Sequence, residues 1–355
     1  MRALLFSERL GPPFDEGVKN VALNLGRQVA KSHQILTLTT GGENTPDLRI
    51  ENLPAVNRLL WSHQLSRRIR SFAPDRICYL PTASMTPWSF LRALALSRHG
   101  GGKPVTMIAL QPRRVTAVTR AVMARGFPER IIVQSERTAR HLAGLGTRVV
   151  FVPVGVDRDR FSPAKPGERE ALRHRFGIDV NAKAILHVGH INRNRNVQVL
   201  AAIQRLDGVQ TVVLGSTSTG SDPALAAELA AAGVLVISRT IADPEALYRL
   251  ADLYVFPCPP DRPIDQTPAI ETPLSVLEAM ACNLPVVISR FGGLPSLFEP
   301  GDGIIYVENP HDGEQWCRAA LLGLAAGRGH TRVRTTPYPW QNFADAVLGL
   351  EGPWT

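Results

Sequence analysis

Residues 271–295 read Glu271-Thr-Pro-Leu-Ser-Val-Leu-Glu278-Ala-Met-Ala281 and then, after Cys282-Asn283, Leu284-Pro-Val-Val-Ile-Ser289 and Phe291-Gly-Gly-Leu-Pro295. Thr272 has the side chain of a helix N-cap and Pro273 the fixed φ of a first helical residue. The pattern predicts a helix over roughly 273–282 whose first amides, those of Leu274 and Ser275, have no partner within the helix. An apolar strand follows at Val286 to Ser289. A helix N-terminus beside such a strand suits an anion, because unpaired N–H groups and the helix dipole both favour negative charge. Glu278 stands little more than a turn into the helix, where its carboxylate can accept hydrogen bonds from ribose hydroxyls; the plain alternative is a solvent-facing glutamate.

Working outward, the same strand-and-helix alternation fills the C-terminal half. Strands are expected at Ala184 to Val188, Thr211 to Leu214, Val234 to Ile237 and Leu253 to Phe256, with helices over 196–206, 222–232 and 243–251. The N-terminal half opens in the same way. Ala3 to Ser7 is a short apolar strand and Gly11 to Gly17 a Pro/Gly loop; Val18, Val21, Leu25 and Val29 repeat at helical spacing, and Gln34 to Leu38 is a second strand. Further strands are expected at Ile77 to Leu80, Val105 to Leu110, Arg130 to Gln134 and Val149 to Val152. Uninterrupted apolar strands alternating with helices specify parallel, doubly wound sheets. Two such halves predict an α/β chain of two Rossmann-like domains, and a length of 355 residues suits that number. The Pro-rich, charged run Phe161-Ser-Pro-Ala-Lys-Pro-Gly-Glu-Arg-Glu170 reads as the linker. The expected boundaries are therefore 1–165 and 166–337, with a terminal helical segment at 338–355.

Composition narrows the function classes. With 44% hydrophobic and 20% charged residues the chain is typical of water-soluble globular proteins, and no apolar run is long enough to span a bilayer. The N-terminus lacks the apolar core of a signal peptide, which gives the expectation of a cytoplasmic protein. Cys78, Cys258, Cys282 and Cys317 are scattered without CxxC spacing, so they read as reduced packing residues. A net charge of +9 favours an anionic partner: nucleic acid, a membrane surface or a phosphorylated small molecule. No nucleic-acid-binding motif accompanies the arginine runs, so a nucleic-acid partner is not expected. Trp61, Leu65, Ile69 and Phe72 repeat at helical spacing among Arg58, Arg67, Arg68 and Arg70. Such a helix either lies on the inner face of a membrane or packs its stripe on the N-terminal sheet with the arginines solvated.

The stretch 274–295 resembles the donor-site signature of the family-four retaining glycosyltransferases of the GT-B fold. Ile185-Leu-His-Val-Gly189-His190-Ile-Asn-Arg-Asn-Arg195-Asn196 is similar to that family's strand, glycine, Arg and later Lys. Tyr338-Pro-Trp340-Gln-Asn-Phe343 is similar to its terminal aromatic motif. The resemblance implies two domains facing across a cleft and a C-terminal helix crossing back to the N-terminal domain. It implies transfer of a sugar from a nucleoside diphosphate sugar, a substrate rather than a cofactor, to an acceptor hydroxyl, with no metal; lipid-linked acceptors are frequent in the family. Asp157-Arg-Asp159, the nearest approach to a metal-binding DxD, reads better as part of a turn. His190 and Arg195 stand where the family's diphosphate-neutralising Arg and Lys stand, and Gly189 where its glycine does. Glu278 carries the ribose role. Glu271 takes the role of the first, sugar-facing glutamate only through a one-residue shift, because a gapless alignment puts Ile270 there. Thr272, Leu274 and Ser275 complete the donor helix start, Arg239 the nucleobase end, and Gly17 the N-terminal glycine loop. Gln111 stands near where many relatives carry a histidine and, with Arg113 and Arg114, is expected to edge the cleft. Two other functions fit the same residues: a sugar-nucleotide epimerase of the same fold, and a nucleotide-sugar-binding protein without turnover.

Overall fold

The structure is a computed structural model that describes residues 1–355 apart from 43–47, 49, 55, 114, 219–220, 261–266, 351 and 354–355. The chain folds into two units. The first comprises Met1–Val154, Pro263–Thr272 and Trp340–Thr355, and the second Gly155–Arg262 and Pro273–Pro339. The chain thus changes unit at Val154, well before the Pro-rich run, and enters the first unit again for the ten residues ending at Thr272.

The first unit holds seven strands: β1 (Arg2–Arg9), β2 (Gln34–Gly41), β3 (Ile50–Asn52), β4 (Arg76–Tyr79), β5 (Val105–Ala109), β6 (Arg130–Val133) and β7 (Arg148–Phe151). They pair in parallel in the order β3-β2-β1-β4-β5-β6-β7. The helices are α1 (Gly17–Ala30), α2 (His63–Phe72), α3 (Pro87–His99), α4 (Ala117–Met123) and α5 (Glu136–Leu142). Leu4, Phe6, Leu38, Ile77, Tyr79, Met107, Ile131 and Val133 supply a continuous apolar core. Burial on both faces is why these strands read as apolar runs rather than as alternating ones.

The arginine-rich helix predicted around 57–72 is α2, and the middle of its stripe is inside. Leu65 and Ile69 are fully buried in that core, with Phe72 packed against it. Burial of each such side chain is worth about 2 kcal/mol, so Leu65 and Ile69 belong to the core of the fold. Arg68 pairs with Glu51, while Arg67 and Arg70 are exposed. Trp61 also stays on the surface, 42% exposed.

The second unit holds β8 (Lys183–Val188), β9 (Val209–Leu214), β10 (Leu235–Ile237), β11 (Leu253–Phe256), β12 (Val286–Ser289) and β13 (Ile304–Val307). These are parallel as well, in the order β10-β9-β8-β11-β12-β13. Its helices are α6 (Glu168–Phe176), α7 (Leu200–Ile203), α8 (Pro223–Ala231), α9 (Glu245–Leu250), α10 (Leu274–Ala281), α11 (Leu294–Leu297) and α12 (Gly313–Ala326). Asp252 ties the loop before β11 to α6. It accepts from the buried Arg173 guanidinium at 2.6 Å and from the Ala184 amide at 2.8 Å, and it also pairs with Arg169. Asp157 forms a turn, its Oδ1 accepting from the amides of Asp159 and Arg160.

The terminal helix is α13 (Trp340–Leu348), shorter than the predicted segment, and it belongs to the first unit. There the Arg130 guanidinium donates to the carbonyl of Ala346 at 2.8 Å. Cys78, Cys258 and Cys282 are buried and Cys317 is half-buried, each outside any disulfide. Among the described residues no helix is long and apolar enough to cross a membrane.

Candidate functional site

In the second unit the strand order reverses between β8 and β11, with β9 flanking one and β12 the other. In open α/β sheets the crevice outside the carboxyl ends of two such strands is the place where ligands bind. β8 ends at Val188, so Gly189 and His190 lie at its mouth.

Arg195 comes next to Gly189 because the intervening chain is a tight turn. Asn192 caps a single 3-10 turn at Arg193–Arg195, its side chain accepting from the Arg195 amide at 3.0 Å, and Asn196 then takes a left-handed conformation. The two arginines of this turn part company. Arg193 points outward to Glu228, whereas the Arg195 guanidinium lies against Gly189. A Cβ built on Gly189 would stand 2.9 Å from Arg195 Nη1 and 3.4 Å from His187 Nε2. Glycine is required there for that close approach. His190 is half-buried beside it.

His187, expected to be core, is buried with Nδ1 2.9 Å from the carbonyl of Val255. Burial above all, with the Arg195 charge adding, pushes its pKa down to about 4 against the pull of that carbonyl. The imidazole is therefore neutral near pH 7, Nδ1–H donates to Val255, and Nε2 is an acceptor with no hydrogen-bond partner. Tyr254 stacks on this ring at 6.5 Å and Tyr248 stacks on Tyr254 at 5.9 Å. The Tyr254 hydroxyl meets Ser275 in the first turn of α10, and the Tyr248 hydroxyl donates to Glu278 Oε2 at 2.7 Å. The ladder of His187, Tyr254 and Tyr248 thus connects the end of β8 to the half-buried side of α10.

Glu278 is half-buried on that helix. Burial pushes its carboxyl up to about 7, opposed by the Tyr248 hydrogen bond and the Arg160 charge. Near neutral pH it exists in both protonation states. Neither tyrosine stands out in the sequence, since each lies in an apolar run; a buried tyrosine's need for a hydroxyl partner is the only signal they carry.

The start of α10 differs from expectation. Pro273, not Thr272, is the N-cap, with φ −68° and ψ 119° and no side-chain cap bond. The Thr272 hydroxyl donates instead to the carbonyl of Gln134 at 2.8 Å, a bond within the first unit that turns it from the α10 amides. Leu274, the first helical residue, is buried, and Ser275 is half-buried.

Glu271 likewise belongs to the first unit. It is 2% exposed, its Oε1 accepts from Ser135 Oγ at 3.0 Å and Thr138 Oγ1 at 2.6 Å, and its amide donates to Leu110. Burial raises its carboxyl above the usual range, against those two hydroxyls. The side chain set against Gly17 is that of Ile270, 3.1 Å from where a Cβ on that glycine would stand. The one-residue shift that would give Glu271 the first-glutamate place is therefore not seen, and its carboxylate serves as an acceptor inside the first unit. Gln111 and Arg113, both half-buried, follow β5; the Gln111 carbonyl accepts from Ser84 Oγ and the Arg113 amide donates to the Ser84 carbonyl. Arg114 lies outside the described residues. Arg239 is exposed after β10 and lines a shallow hollow with Arg175, Phe176 and residues 235–238. The second unit thus brings together Gly189, Arg195, Ser275 and Glu278 from the predicted set and adds His187, Tyr248 and Tyr254.

Known proteins resemble this chain in sequence and in fold. Residues 182–325 match the family model described as glycosyl transferases group 1. By sequence the chain is similar to the D-inositol 3-phosphate glycosyltransferase of Mycobacterium tuberculosis, 32% identical over 242 residues, which is 62% of this chain and 48% of that protein. The chain spans about half the length of such relatives. By structure it is similar to sucrose-phosphate synthase from Thermosynechococcus elongatus, with a TM-score of 0.71, 17% identity and coverage of 97% and 96% of the two chains. It is also similar to Anabaena HepE in complex with UDP-glucose, with a TM-score of 0.69, 14% identity and coverage of 98% and 95%. Residues 182–325 thus match the glycosyl transferases group 1 family, and the chain shares the two-Rossmann-domain GT-B fold of these structures.

Proposed function

We propose that the chain is a glycosyltransferase that moves a sugar from a nucleoside diphosphate sugar to an acceptor hydroxyl, with retention at the sugar and without a metal. The observation that carries this reading is the Arg195 guanidinium seated against Gly189 at the strand-order reversal, in the same unit as the Glu278 carboxyl on α10. Gly189 leaves the backbone open to close approach by a diphosphate. Arg195, with His190 as a second donor, faces its charge, while the amides of Leu274 and Ser275 present the positive end of α10. Glu278 receives the ribose hydroxyls, and Arg239 stands at the nucleobase end. That HepE is known with UDP-glucose supports a sugar nucleotide as donor.

The chemistry follows from charge. As the glycosidic bond breaks, the diphosphate gains negative charge, so a fixed cation beside it stabilises the transition state more than the ground state. Gln111 at the end of β5 cannot act as a base. The departing phosphate oxygen takes the acceptor proton in this reading, which is how a transfer with retention proceeds on one face of the sugar. Melting the protein with UDP, GDP and ADP tests the donor site. A ligand at about 100 times its Kd should stabilise the fold by about 2.7 kcal/mol, and a flat response to all three would remove the reading.

A further inference from the structure

His187 holds a feature that packing alone does not account for. Its Nδ1–H is committed to Val255, its face to Tyr254, and its remaining nitrogen is a buried acceptor with no hydrogen-bond partner. An unpaired buried acceptor destabilises a fold, so a residue that merely filled this slot would serve better as an apolar ring. The nitrogen is aimed at one place. The small volume in front of the Gly189 Cα is bordered by His187 Nε2, 3.4 Å from the position of an added Cβ, and by Arg195 Nη1, at 2.9 Å. An acceptor nitrogen and a guanidinium nitrogen thus both border the space that a side chain at this glycine would fill.

We propose that His187 is a positioning residue for Arg195: its Nε2 receives a guanidinium N–H and holds that group over the Gly189 backbone, ready for the β-phosphate of the donor. The inference rests on the donor-site reading above and deepens it. Arg195 sits on a short turn at the end of a flexible side chain, and freezing such a side chain at the moment of binding costs entropy. A buried imidazole whose tautomer is set by Val255 removes that cost beforehand, as outer ligand partners do in other charged sites. Tyr254, stacked on the far face, keeps the ring from rotating.

The test compares UDP with UMP by calorimetry, with GDP and GMP as a second pair, because the two members of a pair differ only in the β-phosphate that Arg195 would hold. The wild-type protein is expected to prefer the diphosphate, and Arg195→Ala to lose that preference. His187→Phe keeps the volume and the stack but removes the acceptor. It should lose about tenfold of the preference while UMP affinity stays within about twofold, as expected for loss of one charge-assisted hydrogen bond. His187→Gln, which restores an acceptor, should recover part of it, and melting temperatures check that each variant is folded. In the double variant His187→Phe with Arg195→Ala, the histidine change should have no further effect, since both act through one contact. A full preference retained in His187→Phe, or equal losses for UMP and UDP, overturns the proposal. A wild-type protein that binds none of the four nucleotides would instead remove the donor-site reading itself.

Discussion

Lowering the pH from about 8 to about 6 should weaken nucleoside diphosphate binding about tenfold through Glu278, because only the carboxylate accepts from both ribose hydroxyls while Tyr248 occupies one oxygen. The carboxyl is held at about 7, mainly by burial. About nine-tenths of the protein is then ionised at about pH 8 and about one-tenth at about pH 6, and apparent Kd scales inversely with the ionised fraction. The sign for stability runs the other way. A carboxyl raised from its ordinary value of 4.5 to about 7 contributes stability below pH 4.5 that is lost as the pH rises through about 7. Glu278→Gln, which cannot ionise, should therefore be more stable than the parent at about pH 8 by at most about 3 kcal/mol and equal to it at low pH. The assay is isothermal titration with the best-binding nucleoside diphosphate at several pH values, on parent and Glu278→Gln. The ligand's own phosphate titrates near pH 6 in both proteins, so the difference between them isolates the glutamate. An affinity in the parent that changes with pH no more than in Glu278→Gln would refute the assignment.

Other outcomes follow from the same geometry. Arg195→Ala should lower turnover of a sugar nucleotide more than it weakens its binding, since the charge it faces grows during bond breaking; equal losses in kcat/KM and affinity would point to ground-state attraction alone. Gly189→Ala should act like Arg195→Ala while leaving the protein folded, because the added Cβ is crowded by the end of a flexible arginine at 2.9 Å and makes ordinary contact with His187 at 3.4 Å. A stability loss well above about 1 kcal/mol would show that the backbone conformation there, with φ near 156°, matters more than the arginine. Asp252→Ala strands the buried Arg173 guanidinium and should cost about 3–5 kcal/mol in urea unfolding; a loss near zero would mean that water enters and compensates.

The architecture is legible because parallel strands buried on both faces leave apolar runs that short-range pattern reading detects. β1, β8 and β11 lie within a residue or two of their expected bounds. Ile50-Glu51-Asn52 escapes such a reading because a three-residue edge strand with two polar members has no period to detect. α12, with Trp316, Ala319, Ala320 and Gly323 buried on one face, does carry a helical period, yet it is absent from the expected elements. In the candidate site, Gly189, Arg195 and Glu278 can be singled out from the sequence because they lie in continuous local patterns. Tyr248 is not, since its bond to Glu278 spans thirty residues and depends on the fold being formed. Thr272 shows the opposite failure: a correct local cap signal lost to a long-range carbonyl at Gln134. The return of residues 267–272 to the first unit is likewise a tertiary event that no composition shift announces.

A structure of the protein crystallised with UDP, or with whichever diphosphate raises the melting point most, tests the central claim most directly. The β-phosphate should lie within about 3 Å of Arg195 and of an amide at the start of α10, with a ribose hydroxyl on Glu278. A nucleotide bound elsewhere, with Arg195 and Glu278 untouched, would contradict it.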